Sequence, residues 1–168
     1  MFLDLHDIIE MPGGAKPFRC ELEPERLSFP ALVRFTGPVT AAGEVKNSAG
    51  ILELIAAVEA DMLVRCDRCT AEFPKSLSLP VRVTLKAAPE EDDYDELFPL
   101  DGDGVDVSDV LETCFILDMD TKHLCREDCK GLCSVCGRNL NDGPCGCVKQ
   151  PDPRMAVLSQ LLDDIQEV

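Results

Sequence analysis

The sequence predicts an α+β fold: mainly an antiparallel β-sheet or partly open barrel, with a few short helices and a cysteine-rich C-terminal module. Three observations carry this expectation. Two long runs, 51–65 and 73–85, alternate apolar and polar residues. Helical spacing appears only in short stretches after residue 105. Six of the ten cysteines fall between Cys125 and Cys147.

Phe18, Cys20 and Leu22 alternate with Arg19 and Glu21, the signature of a half-buried strand. Over 38–46 the pattern weakens, and Gly37, Gly43 and Gly50 punctuate the chain. In 51–65, Leu52, Leu54, Ala56, Val58, Ala60, Met62 and Val64 share one face, with Glu53, Glu59, Asp61 and Arg65 on the other. A second run places Phe73, Leu77, Leu79, Val81, Val83 and Leu85 together. Pro74 and Pro80 lack an N–H, so this strand is expected at an edge or with a bulge. Pairing the two runs as a hairpin puts Cys66 and Cys69 at its tip.

The β-rich domain is expected to span 1–120, with an acidic linker at about 87–104. Inside it, Asp106 is the expected N-cap of a short helix whose apolar face carries Val107, Val110, Leu111 and Cys114. Cys114 and Cys20 read as core residues. Residues 121–150 form the cysteine-rich module, and 151–168 a closing helix packed on the domain. Asp152 caps that helix, Pro153 takes its first turn, and Leu158, Leu161, Leu162 and Ile165 form its stripe.

The formal net charge is −16. No Lys or Arg lies between Lys86 and Lys122, whereas Glu90, Glu91, Asp92, Asp93, Asp95, Glu96, Asp101, Asp103, Asp106, Asp109 and Glu112 do. Such a field repels phosphate, which argues against broad nucleic-acid coating and against DNA as a partner. Seven Phe, one Tyr and no Trp leave little for base stacking. A basic protein partner suits the charge, and so does plain solubility. The longest stretch without a charged side chain is nine residues, 35–43, too short to cross a membrane. The N-terminal residues carry Asp4, Asp7 and Glu10 and no basic, then apolar, leader pattern. The expected location is the cytoplasm, where thiols stay reduced and clustered cysteines read as metal ligands.

Residues 123–147 offer little apolar content beyond Leu124, Leu132, Val135 and Leu140, so they need a staple. Cys133-Ser134-Val135-Cys136-Gly137 reads as a zinc knuckle, and Cys145 and Cys147 are its nearest partners. Cys125 and Cys129 with Cys66 and Cys69 would make a second site. Spacing leaves the sorting open, because Cys129 competes with Cys145 or Cys147. His123 could replace a thiolate, but reads first as a surface residue. One or two structural zinc ions are expected. Thiol exchange is disfavoured, because Asp67 lies inside the Cys66–Cys69 motif and would raise a thiol pKa. No nucleophile elbow, phosphate loop or His-Glu metal motif is present, so no enzyme activity and no small-molecule substrate are expected.

Four motifs agree in order and spacing with one family. They are Cys66-Asp67-Arg68-Cys69, the run from Leu124 to Asn141, the Cys145-Gly146-Cys147 pair, and the closing Asp152-Pro153-Arg154-Met155-Ala156-Val157-Leu158. Together they resemble the bacterial YceD family (domain of unknown function 177). The resemblance covers nearly the whole chain. It implies a non-catalytic role in accumulation of large-subunit (23S) ribosomal RNA, as an assembly factor or RNA-stabilising partner. Family genes often lie beside a gene for a large-subunit ribosomal protein. Some members lack most of the C-terminal cysteines, which makes zinc a structural option in the family. Ser134 stands where a proline is frequent, and the stretch before Cys125 is more acidic than usual. Arg126, Lys130 and Arg138 are the cations beside the cysteines, expected either to contact RNA phosphate or to balance thiolate charge. The partner is then a large-subunit RNA precursor or, through the acidic linker, a basic ribosomal protein.

Overall fold

The computed structural model describes residues 1–86 and 97–148. The first ten residues of the acidic linker, and the closing helix from Asp152 to Ile165, lie outside the described residues. The strands are β1 Phe2–Asp4, β2 Ala15–Leu22, β3 Leu32–Phe35, β4 Val39–Ser48, β5 Ile51–Arg65, β6 Glu72–Lys86, β7 Leu97–Pro99 and β8 Gly104–Asp106. The helices are α1 His6–Ile9 and α2 Val107–Leu117. A six-stranded sheet runs β2-β4-β5-β6-β7, with β3 also paired to β5, and β1 pairs with β8 apart from it. Every pairing is antiparallel except β6 with β7. The sheet is open, and the fold class is the expected α+β.

β5 is extended over the whole predicted run, and its seven even-numbered apolar residues are all buried. Ala49 and Gly50 join it to β4, both at positive φ. Such a two-residue turn matches the twist of the flanking strands. It also sets the ladder: Ser48 faces Ile51, so odd residues of β5 bond to β4 and even residues to β6. Across the second ladder Leu52 faces Leu85, and the register continues unbroken to Arg65 facing Glu72. Odd residues of β6 therefore bond β5, and even residues point away. Pro74 and Pro80 are both even, so neither removes a ladder donor. The strand needs no bulge, and from Glu72 to Val83 it is the edge of the described sheet.

The core lies between the sheet and the elements that cover it. α2 buries Val107, Val110, Leu111, Cys114 and Phe115. Asp106 caps it as expected, its carboxylate accepting from the amides of Ser108 and Asp109. Cys20 is half-buried and packs against this core. Asn47, nearly fully buried, donates through Nδ2 to the carbonyls of Ile8 and Ile9 and accepts from the Gly50 amide. It thereby satisfies the end of α1 from the β4–β5 hairpin. One detail differs from the sequence reading. The predicted linker 87–104 ends in two short strands, β7 and the start of β8. Three-residue strands carry no period for a pattern to reveal.

Gly43 faces Phe18 on one side and Ala56 on the other. A β-carbon there would lie 2.2 Å from the Ile55 carbonyl oxygen, whereas one at Gly37 would meet nothing within 4 Å. Gly43→Ala is expected to cost about 1–3 kcal/mol in urea unfolding, with Gly37→Ala within about 0.5 kcal/mol of the parent. Buried Glu112 pairs with Arg26 Nε at 2.9 Å, yet burial holds its pKa above 4.5 against that cation. The folded state then keeps the proton longer than the unfolded one. Stability drawn from Glu112 falls as pH rises above 4.5. Glu112→Gln should gain on the parent protein across that window, measured as urea midpoints at several pH values.

Candidate metal centres

β5 and β6 end together, and residues 66–71 close the hairpin. The Cys66 amide bonds the Ala71 carbonyl and the Thr70 amide bonds the Cys66 carbonyl. Thr70 takes a positive φ of 59°, which turns the loop inward. Cys66 and Cys69 are buried at this tip, at 1% and 4% exposure.

After α2 the chain returns to the same tip. The Asp67 amide donates to the His123 carbonyl, and the His123 amide donates to the Asp67 carboxylate. His123 is 3% exposed, and its ring stacks on Phe29 with centroids 5.2 Å apart. His123 is therefore a buried anchor, not the expected surface residue, and it belongs to neither cysteine cluster. Lys75 fixes the approach from β6, bonding Asp120 at 2.6 Å. Arg68 then donates to the Cys129 carbonyl at 2.8 Å and accepts from the Leu132 amide. Gly131 has φ +74°, and a β-carbon there would lie 2.9 Å from the Arg68 carbonyl oxygen. Close approach and backbone conformation both require glycine.

This docking brings Cys66, Cys69, Cys125 and Cys129 together, with all four sulfurs within 4.8 Å of one another. Cys133, Cys136, Cys145 and Cys147 form a second such group. Cys129 lies in the first group, a placement that spacing left open. All ten cysteines are free thiols. The Cys66–Cys129 and Cys69–Cys125 sulfur separations are 3.8 and 3.6 Å. A tetrahedron with metal–sulfur bonds of about 2.3 Å has edges of about 3.8 Å. Either tetrad could hold a metal ion.

The second tetrad is built on a knuckle. The Gly137 amide closes on the Cys133 carbonyl, the Cys133 amide bonds the Arg138 carbonyl, and the Val135 amide lies 3.4 Å from Cys133 Sγ. Gly137 supplies the positive φ of 71° that this loop needs.

The thiols within each tetrad are pushed apart. Burial raises Cys66, but amides of Cys125, Cys69 and Arg68 outweigh it and bring the thiol to about 6. Burial and the neighbouring thiols push Cys125 up to about 12. The amides of Cys136 and Val135 bring Cys133 to about 6. Contact with Cys136, then burial, pushes Cys147 up to about 12. Four negative sulfurs this close cannot coexist without a cation, and a divalent ion reverses the penalty for all of them. The donor sets therefore fit a soft metal. The Cys66 thiol is lowered although Asp67 lies inside the motif, because the backbone amides outweigh burial.

Asn141, the last residue of the run that begins at Leu124, was assigned no role in the sequence reading. Its Nδ2 lies 3.4 Å from Cys129 Sγ and holds that thiol below its usual value. Of the three flagged cations, Arg126 sits 3.5 Å from Asp128. Lys130 and Arg138 are exposed, and neither has a salt bridge among the described residues. No helix among the described residues is long and apolar enough to cross a membrane.

A family model described as "Large ribosomal RNA subunit accumulation protein YceD" matches residues 54–162, which is 109 of the 168 residues. Neither a curated protein nor a solved structure matches the chain.

Asp67 joins tip to tail without touching a sulfur. Asp67→Ala removes one charge-assisted hydrogen bond and is expected to cost about 1.5–3 kcal/mol. Limited proteolysis should then cut between α2 and Cys125 faster than in the parent protein.

Proposed function

Because the chain belongs to the YceD family, we propose that it is a non-catalytic factor supporting accumulation or processing of large-subunit (23S) ribosomal RNA, acting in the cytoplasm. In this reading each cysteine tetrad holds one structural zinc ion. The all-sulfur donor sets support zinc and leave no open position for substrate chemistry. Residues 121–150 act as a module stapled to the domain 1–120 through the tetrad containing Cys66 and Cys69. The carrying observation is the family match over the hairpin and the whole cysteine region.

Arg126, Lys130 and Arg138 are the residues offered to RNA phosphate. A rigid metal knuckle can hold a few cations in a fixed array, which lets them grip phosphate locally against an unfavourable overall field. The second reading is an acidic adaptor for a basic ribosomal protein. The net charge of −16 favours it, together with the acids at Asp101, Asp103, Asp106 and Asp109. The two readings place the contact at opposite kinds of surface.

Cells lacking the protein should show a lowered ratio of 23S to 16S RNA, restored by the intact chain. Changing Arg126, Lys130 and Arg138 together to Ser should prevent restoration while leaving fold and metal content intact. In vitro, the slope of log affinity against log salt should fall by about 2 for single-stranded RNA. Full restoration by the triple variant would remove the RNA contact. Failure after replacing the acids of 90–103 with Ser or Asn would favour the adaptor instead.

A further inference from the structure

The two cysteine tetrads are adjacent in sequence, with Cys129 in the first and Cys133 in the second. One residue between Cys136 and Cys145 of the second tetrad reaches back to the first. Asn141 directs Nδ2 at Cys129 Sγ, 3.4 Å away, and its Oδ1 accepts from the Lys130 amide at 2.8 Å. The orientation is determined: the Lys130 amide can only donate, so the oxygen must face it and the NH2 must face the sulfur.

Asn141 is itself held by its neighbours in the loop. Asn139 Oδ1 accepts from the Asn141 amide at 3.0 Å and from its Nδ2 at 2.8 Å. Asn139 pairs with Leu132 in a short β-bridge, and the Leu140 amide bonds the Gly131 carbonyl. The Cys133 amide bonds the Arg138 carbonyl. Asn139, Leu140 and Asn141 lie inside the loop that the second tetrad closes, and their bonds tie it to Lys130, Gly131 and Leu132 just before Cys133. That loop has little apolar content of its own, so an ion in the second tetrad is what fixes it.

We infer that Asn141 is a positioning residue coupling the two metal centres, each ion binding more tightly when the other is present. The inference rests on the metal reading above. Coupling between two binding sites is reciprocal, so the factor is the same in either direction. Groups that hydrogen-bond a metal ligand are worth about 10–100-fold in metal affinity, and that range sets the expectation.

The test uses the full chain loaded with Co(II), followed by competition with a chelator. Cys136→Ser with Cys147→Ser disables the second tetrad. This variant should hold cobalt in the first site about 10–100-fold more weakly. Asn141→Ala should weaken the first site by a similar factor. Combining the changes should add little further loss. Asn141→Asp keeps an oxygen for the Lys130 amide but replaces the donor to sulfur. It should shift the sulfur-to-cobalt charge-transfer band of the first site, which a merely structural residue would leave in place. First-site affinity unchanged by disabling the second tetrad overturns the coupling, as do losses that multiply in the combined variant. A protein that takes up no cobalt overturns both the coupling and the metal reading, whereas two tight, independent ions overturn the coupling alone.

Discussion

Four sulfurs within 4.8 Å of one another are an unstable arrangement by themselves. If all ionise, like charges crowd a partly buried site. If they stay protonated, amides aimed at Cys66 and Cys133 stabilise a charge that is absent. A bound cation would remove the conflict, and either tetrad could hold one. The segment from His123 to Val148 buries only His123, Cys129, Gly131 and Cys133, too little for a hydrophobic core. Among the described residues it is held at the hairpin tip by the paired Asp67–His123 hydrogen bonds and by Arg68.

The β-domain supplies what such a staple needs, which is a stiff mount. β5 and β6 run together for fourteen paired residues without a register shift and end at the Cys66–Cys69 turn. One face of β5 is in the core along its entire length, so the tip cannot slide without exposing apolar surface. Half of the first tetrad is therefore fixed by sheet packing. The other half arrives on a segment that has no comparable packing. The first tetrad thus joins a preformed half to an adaptable one, whereas the second is assembled within fifteen residues, from Cys133 to Cys147.

Much of this was legible in the sequence, and the reasons are physical. Period-two alternation in 51–65 and 73–85 is strong because one face of each strand meets the core. The N-cap at Asp106 was readable from local chemistry. β1, β3, β7 and β8 were not, because elements of three or four residues carry no period and exist only through their partners. The composition of the tetrads was open in the sequence because Cys129 lies near both. Only the docking of the tail assigns it. His123 misled for a similar reason: nothing local marks its burial, which comes from Phe29 and Asp67, far away in the chain. Asn47 and Asn141 act through amide groups that satisfy distant backbone or sulfur, and a lone asparagine carries no spacing signal.

The most direct test of the central claim is native mass spectrometry with elemental analysis of the intact chain, purified under reducing conditions. The account predicts two zinc ions per chain, and removal of the metal should release the segment after His123 while the β-domain stays folded. A metal-free protein whose cysteine segment remains docked at the hairpin tip, with its thiols reduced, would contradict it.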